Sequence, residues 1–225
     1  MSDGEICCED LHRIYNPGMP NECRALDGVS LKIGGGDYAS IIGPSGSGKS
    51  TLLNLISCLD SPTKGEVYIE DVPISRLNGF KKAKLRRLKL GFIFQQFNLI
   101  PTMSSAENIE LPMRFKGVGK TARRKRIRHL LDVVGLEGKG KNKPNQLSGG
   151  QQQRVAVARS LANDPKIILA DEPTGNLDTK TGKKIMDLLT RLNREEDKTL
   201  IIVTHDLRIA KKAVNRIRLV DGKVK

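Results

Sequence analysis

Residues 38–59 read YASIIGPSGSGKSTLLNLISCL, and the fold turns on this stretch. Tyr38 to Ile42 is apolar and strand-sized, and from Thr51 leucines recur at helical spacing until Pro62 and Gly65 stop the pattern. Between them, Gly43, Pro44, Ser45, Gly46, Ser47, Gly48, Lys49 and Ser50 fit a known order: glycine, four residues, glycine, lysine, then serine or threonine. Glycines let backbone N–H groups turn inward around phosphate oxygens, and the helix that follows points its positive end at the same anion. Lys49 supplies a charge near the β and γ phosphates, and the Ser50 hydroxyl is placed for Mg²⁺. A Gly/Ser-rich surface turn is the competing reading, and the strand before and helix after the loop weigh against it. We assign Gly43 through Ser50, with Thr51, to nucleotide binding.

Further along, IILADEP puts Asp171 and Glu172 at the carboxyl end of an apolar strand, where open α/β sheets bind ligands. Adjacent carboxylates there are costly unless a cation or hydrogen bonds satisfy them. Asp171 is expected to hold Mg²⁺ through water opposite Ser50, and Glu172 to accept a proton from, or orient, an attacking water.

The remaining pattern predicts strands at Ile6 to Tyr15, Ala25 to Ile33, Glu66 to Ile69 and Gly91 to Phe94. Phe80 to Leu90 is a basic amphipathic segment, and Thr121 to Val134 repeats apolar residues every three or four positions, as an amphipathic helix does. After residue 150, helices (Gln151 to Asn163, Thr181 to Asn193, Leu207 to Ala213) alternate with apolar strands at Ile167 to Ala170, Leu200 to Val203 and Ile217 to Val220. Continuous apolar strands separated by helices indicate a parallel sheet buried on both faces. The expected fold class is α/β of the P-loop NTPase kind, with a mostly parallel core sheet, an antiparallel N-terminal subdomain and an inserted helical lobe. One domain is expected over 1–225, with approximate subregions 1–94, 95–163 and 164–225.

No run approaches the roughly 20 apolar residues of a bilayer crossing, and the acidic start MSDGEICCED lacks a signal peptide's apolar core. Cys7, Cys8, Cys23 and Cys58 match no zinc spacing and are expected to be reduced and mostly buried. The net charge of +14 attracts polyanions and anionic membranes alike. An aromatic content of only 4% argues against a stacking platform for single-stranded nucleic acid.

LSGGQQQRVAVARSLANDPKIILADEPTGNLD, from Leu147 to Asp178, resembles the signature-to-D-loop region of ABC ATPases, and the resemblance extends over essentially the whole chain. GFIFQQFNLIPTMSSAENIELPM and KPNQLSGGQQQRVAVARSLA are similar to the lipoprotein-release and macrolide-export branch, with the cell-division ATPase a near relative. The resemblance implies several roles. Leu147, Ser148, Gly149, Gly150 and Gln151 are the signature, with Ser148 capping the following helix and the glycines facing the γ phosphate held by a second subunit. Tyr15 stacks on adenine. Gln95, rather than the adjacent Gln96, touches Mg²⁺ or the attacking water. His205 hydrogen-bonds the γ phosphate, and Asp178 crosses to the partner's site. Glu172, His205, Gln95 and Lys49 form the catalytic set, and Ser50, Gln95 and Asp171 the Mg²⁺ set. Asn176 departs from the commoner small residue at its position without touching a catalytic role.

The implied function is an ATPase that binds ATP and Mg²⁺ and forms a head-to-tail homodimer. It powers a separate integral-membrane permease from the cytoplasmic face of the cell membrane, in export or extraction of a lipoprotein, peptide or amphiphile. The alternative is a cell-division-type ATPase driving a membrane regulator. Phe97, Leu99, Ile100, Leu111 and Met113 are candidates for a groove receiving a permease helix. No direct nucleic-acid role is expected, since long coiled coils and a second cassette are missing from the sequence. A nucleotide kinase or small GTPase leaves LSGGQ unexplained.

Overall fold

The computed structural model describes residues 3–225. Strands β1 (Ile6–Tyr15) and β2 (Cys23–Ile33) form a hairpin-like antiparallel pair, followed by β3 (Tyr38–Ile42) and helix α1 (Lys49–Ile56). Then come β4 (Lys64–Ile69), β5 (Val72–Pro73), α2 (Gly79–Lys89) and β6 (Leu90–Ile93). Three helices intervene, α3 (Ser105–Lys116), α4 (Lys120–Val133) and α5 (Gly149–Ser160), before β7 (Ile167–Asp171). The chain closes with α6 (Thr179–Glu196), β8 (Thr199–Val203), α7 (Leu207–Ala210), β9 (Asn215–Val220) and β10 (Lys223–Val224).

These strands build two sheets, one ordered β2-β1-β4-β5 and one ordered β10-β9-β3-β8-β7-β6. The first is antiparallel; in the second every pair except β9 with β10 is parallel. The expected α/β architecture with an antiparallel N-terminal sheet is therefore present.

Side-chain alternation explains the continuous apolar strands. Ala39, Ile41, Leu169 and Ile201 point to a core shared with α1 and the antiparallel sheet, where Leu52, Leu55, Ile6 and Val67 are fully buried. Tyr38, Ile168, Ala170 and Ile202 point the other way, to a core with Val155 of α5 and Ile185 and Leu189 of α6. Both faces are covered, so neither tolerates a polar period. Helices α3 to α5 fill the interval between β6 and β7, two strands that lie side by side.

Several boundaries differ from expectation. Helix α1 ends at Ile56 rather than running toward Pro62; Ser57 Oγ donates to the Asn54 carbonyl and Cys58 turns into a left-handed conformation, φ +58°. Helix α5 begins two residues early, at Gly149, because Ser148 caps it. No residue of α2 is buried; Lys81, Lys82, Lys84, Arg86, Arg87 and Lys89 ring it, Leu85 and Leu88 lie only at intermediate depth, and Phe80 and Ala83 are exposed. Met113 is 2% exposed and fills the lobe's own core, so it lines no groove, whereas Leu99 packs on that core while remaining partly exposed. Of the four cysteines, all unbridged, Cys8 and Cys58 are buried while Cys7 is half-buried and Cys23 exposed, because Cys23 begins β2 beside an exposed loop.

Candidate nucleotide-binding and hydrolysis site

The Gly43–Ser50 loop joins the carboxyl end of β3 to α1, and close packing dictates its glycines. A Cβ on Gly43 would lie 2.0 Å from the Leu219 carbonyl oxygen. One on Gly48, where φ is +99°, would lie 2.3 Å from that of Ala25. Helices α3, α5 and α6 are capped by the side chains of Ser104, Ser148 and Asp178, whereas α1 has no side-chain cap. Its first amides are left for an anion. Ser47 Oγ, buried in the same loop, has no hydrogen-bond partner among the described residues. Lys49 Nζ donates to the carbonyls of Gly43 at 3.0 Å and Pro44 at 2.7 Å, which holds the ammonium inside the loop's curve. An uncapped helix end, an orphaned hydroxyl and a central ammonium fit a polyphosphate.

Across from the loop, Ser50 Oγ lies 3.4 Å from Asp171 Oδ2. Burial pushes the Asp171 carboxyl above its ordinary value and the charge of Glu172 adds to this, against the Ser50 hydrogen bond and the Lys49 charge. Two hard oxygen donors, one an acid unsettled by burial, fit a magnesium ion.

Glu172 leaves the sheet with φ +45°, a left-handed angle that costs a residue with a Cβ roughly 1–2 kcal/mol. Its N–H donates to the Val203 carbonyl at 2.9 Å, and its own carbonyl accepts from the Gly175 N–H at 3.0 Å. Together they fix a turn with Pro173 at the second position. The side chain aims at the end of β8. Oε1 accepts the His205 N–H at 2.9 Å and lies 2.7 Å from His205 Nδ1, while Thr204 Oγ1 donates to Oε2 at 3.3 Å. Glu172 is 14% and His205 74% exposed, so the carboxylate sits inward and the imidazole faces out.

The loop after β6 is tied on two sides. Asn176 Nδ2 donates to the Gln95 carbonyl at 2.9 Å, and a Cβ on Gly175 would lie 2.9 Å from Gln95 Nε2. Arg159 of α5 donates to the carbonyls of Phe97 at 3.0 Å and Asn98 at 2.5 Å. Gln153, fully buried on α5, donates from Nε2 to the Pro173 carbonyl at 2.7 Å.

Ser148 Oγ accepts from the Gln151 N–H at 3.3 Å, and Gln151 Oε1 accepts from the Ser148 N–H at 3.0 Å, a reciprocal cap. Leu147 is buried beneath it. Gly149 approaches the Phe97 ring, and a Cβ on Gly150 would lie 2.4 Å from Thr181 Cγ2 at the start of α6, which Asp178 caps. No described hydrogen bond joins Leu147–Gln151 to the phosphate loop or to Glu172. Tyr15 stands apart at the end of β1; its hydroxyl donates to Asp60 at 3.0 Å, and the Arg13 guanidinium lies 4.4 Å from its ring centroid, covering one face.

Sequence reading thus placed the loop, the acids and the histidine together, but passed over Arg159, Gln153 and the Asn176 contact. A faint signal exists: Gln153 and Arg159 interrupt QQRVAVARS on positions that the helix turns inward.

The fold and these groups define a P-loop nucleotide-binding protein. Residues 26–175 match the family described as ABC transporter, and the chain belongs to that family as an ATP-binding cassette. MJ0796 of Methanocaldococcus jannaschii, an uncharacterized ABC transporter ATP-binding protein, is 56% identical over 89% of this chain and 87% of its own length. Its dimeric post-hydrolysis structure bound to ADP and Pi matches with a TM-score of 0.91 at 50% identity, covering 98% of this chain and 96% of that one. The lipoprotein-releasing system ATP-binding protein LolD 1 of Chlorobium chlorochromatii is 48% identical over 88% of this chain and 81% of that protein. The macrolide export ATP-binding/permease protein MacB of Hyphomonas neptunium is 47% identical over 96% of this chain but only 33% of its own length. The resemblance to the lipoprotein-release and macrolide-export branch holds.

Proposed function

We propose that the chain hydrolyses ATP as a head-to-tail homodimer and drives a separate membrane permease from the cytoplasmic face, in export or extraction of a lipoprotein, peptide or amphiphile. The observation that carries this reading is the split of the site: Lys49, Ser50, Asp171, Glu172 and His205 converge, while Ser148–Gly150 present a helix end with no nucleotide-loop contact of their own. The dimeric form of MJ0796 supports it.

In this mechanism, the phosphate loop grips the triphosphate, and the signature end of α5 in a second copy seals the γ phosphate from the other side. Glu172, aligned by His205 and Thr204, orients the attacking water or takes its proton, with Gln95 beside it. Lys49 offsets charge on the transferring phosphoryl group. Mg²⁺, held by Ser50 and Asp171 with Gln95 nearby, would supply further charge neutralisation at the phosphates. Tyr15 offers its uncovered face to adenine, and Asp178 extends toward the second copy. Residues 1–225 work as one domain whose 95–163 portion is the helical lobe ending in the signature helix.

For the permease, a cavity of about 580 Å³ lies between α2, β6 and α3, lined by Leu59, Phe92, Phe94, Leu111 and Phe115 with Arg86, Arg87 and Arg159 among them. Its apolar lining supports insertion of a short permease segment. The test of the whole reading is Glu172→Gln, measured for turnover and for ATP-dependent dimerisation by light scattering. Turnover is expected to fall about 10²-fold or more while ATP holds a long-lived dimer. Wild-type turnover would sink the assignment.

A further inference from the structure

Gln153 is a polar side chain with 0% exposure, four residues beyond the start of α5. The Pro173 carbonyl can only accept, so the group facing it at 2.7 Å is the amide NH₂. The other end of the amide, Oε1, is buried without a partner among the described residues. A buried amide half satisfied in this way is expensive to keep. A methionine of similar volume would fill the same space without that penalty.

What the bond reaches is the turn that carries Glu172. Pro173 is the next residue, and the turn holds Glu172 in its left-handed setting through bonds to Val203 and Gly175. The bond's other end sits on the helix whose first turn carries Ser148, Gly149 and Gly150, about one helical turn or roughly 6 Å away along the axis. We infer that Gln153 is a positioning residue, a strut through which the signature helix sets the Glu172 carboxylate. It follows that a nucleotide engaging the start of α5 is felt at the chain's own hydrolytic turn. The inference rests on the reading of Glu172 as the group that handles the attacking water.

The test is a double-mutant cycle on the full-length protein, with steady-state ATPase rates for wild type, Gln153→Met, Glu172→Gln and the double variant. Gln153→Met keeps volume and removes the donor. Its kcat is expected to fall about 10-fold with KM for ATP within about twofold. In the Glu172→Gln background the same change is expected to cost nothing further, because the strut then has no general base to set. A near-wild-type kcat for Gln153→Met, or a full additional loss in the double variant, overturns the strut. A rise in KM that accounts for the whole effect does so as well. Should Gln153→Met not fold, Gln153→Leu repeats the cycle, since its side chain also cannot donate. Wild-type turnover in Glu172→Gln alone would instead remove the reading of Glu172, so the two failures are told apart.

Discussion

Asp171 shows how a single side chain is held in tension between burial and charge. Its folded pKa lies above the unfolded value, chiefly through burial. The ionised carboxyl therefore destabilises the fold, in full above the folded pKa, and the penalty fades as pH falls through it. Asp171→Asn is expected to melt higher than wild type near neutral pH without nucleotide, with the gap closing toward about pH 4. The same variant should lose the rise in melting temperature that Mg²⁺ with a non-hydrolysable ATP analogue gives wild type. Differential scanning fluorimetry across pH reads both effects; an Asp171→Asn protein less stable than wild type at neutral pH would refute the strain. At this scale the sequence was most informative where chemistry needs residues close in the chain, as in Gly43–Ser50 and the Asp171–Glu172 pair. It was silent on Gln153 and Arg159, because their partners lie 20 and 62 positions away and each bond ends on a backbone carbonyl, which leaves no mark on residue type.

Among the elements, α5 does two jobs at its first turn. Gly150 puts no side chain on the outer surface of its helix end, and it also lets α6 approach, since an added methyl would strike Thr181 Cγ2. The two can be separated. Gly150→Ala is expected to lower stability by about 1–3 kcal/mol through overpacking, and Thr181→Ser in the same chain should recover most of it by removing that methyl. ATPase activity should stay low in both if the glycine also faces nucleotide in trans. Urea unfolding curves and rates of the three proteins check this, and recovery of activity together with stability would leave Gly150 with a packing role alone. Helix existence was legible from the 3.6 period, but the ends were not. Helix α1 stops at Ile56 on account of Ser57 and the left-handed Cys58, neither a conventional stop signal, and α2 owes its length to Asn78 capping and its packing on β6 and α3 rather than to a buried stripe.

For the molecule as a whole, the parallel sheet could be foreseen from strands apolar on both faces, whereas the strand order could not. β3 lies between β8 and β9, strands more than 150 residues later, so its neighbours are set by crossovers and not by local pattern. The surplus of positive charge is likewise a property of the whole, with Lys81 and Lys84 on α2 and Lys120, Arg124, Lys125 and Arg128 on α4 all exposed. These should draw the protein to vesicles containing phosphatidylserine, at about 1 kcal/mol per basic residue near the surface. Sedimentation with such vesicles is expected to fall steeply as salt rises past the point where the Debye length reaches about 8 Å. Equal binding to neutral vesicles would remove the electrostatic account.

The two rims of the six-stranded sheet have a consequence for the protein's solubility. A rim with unpaired N–H and C=O groups recruits strands from any passing chain. Here one rim is β10, two exposed residues long and carrying Lys223, and the other is the four-residue β6, overlaid by α2 and α5. Neither is long and bare enough to seed a growing ribbon. Copies of the protein can thus crowd together without fusing along either rim of this sheet.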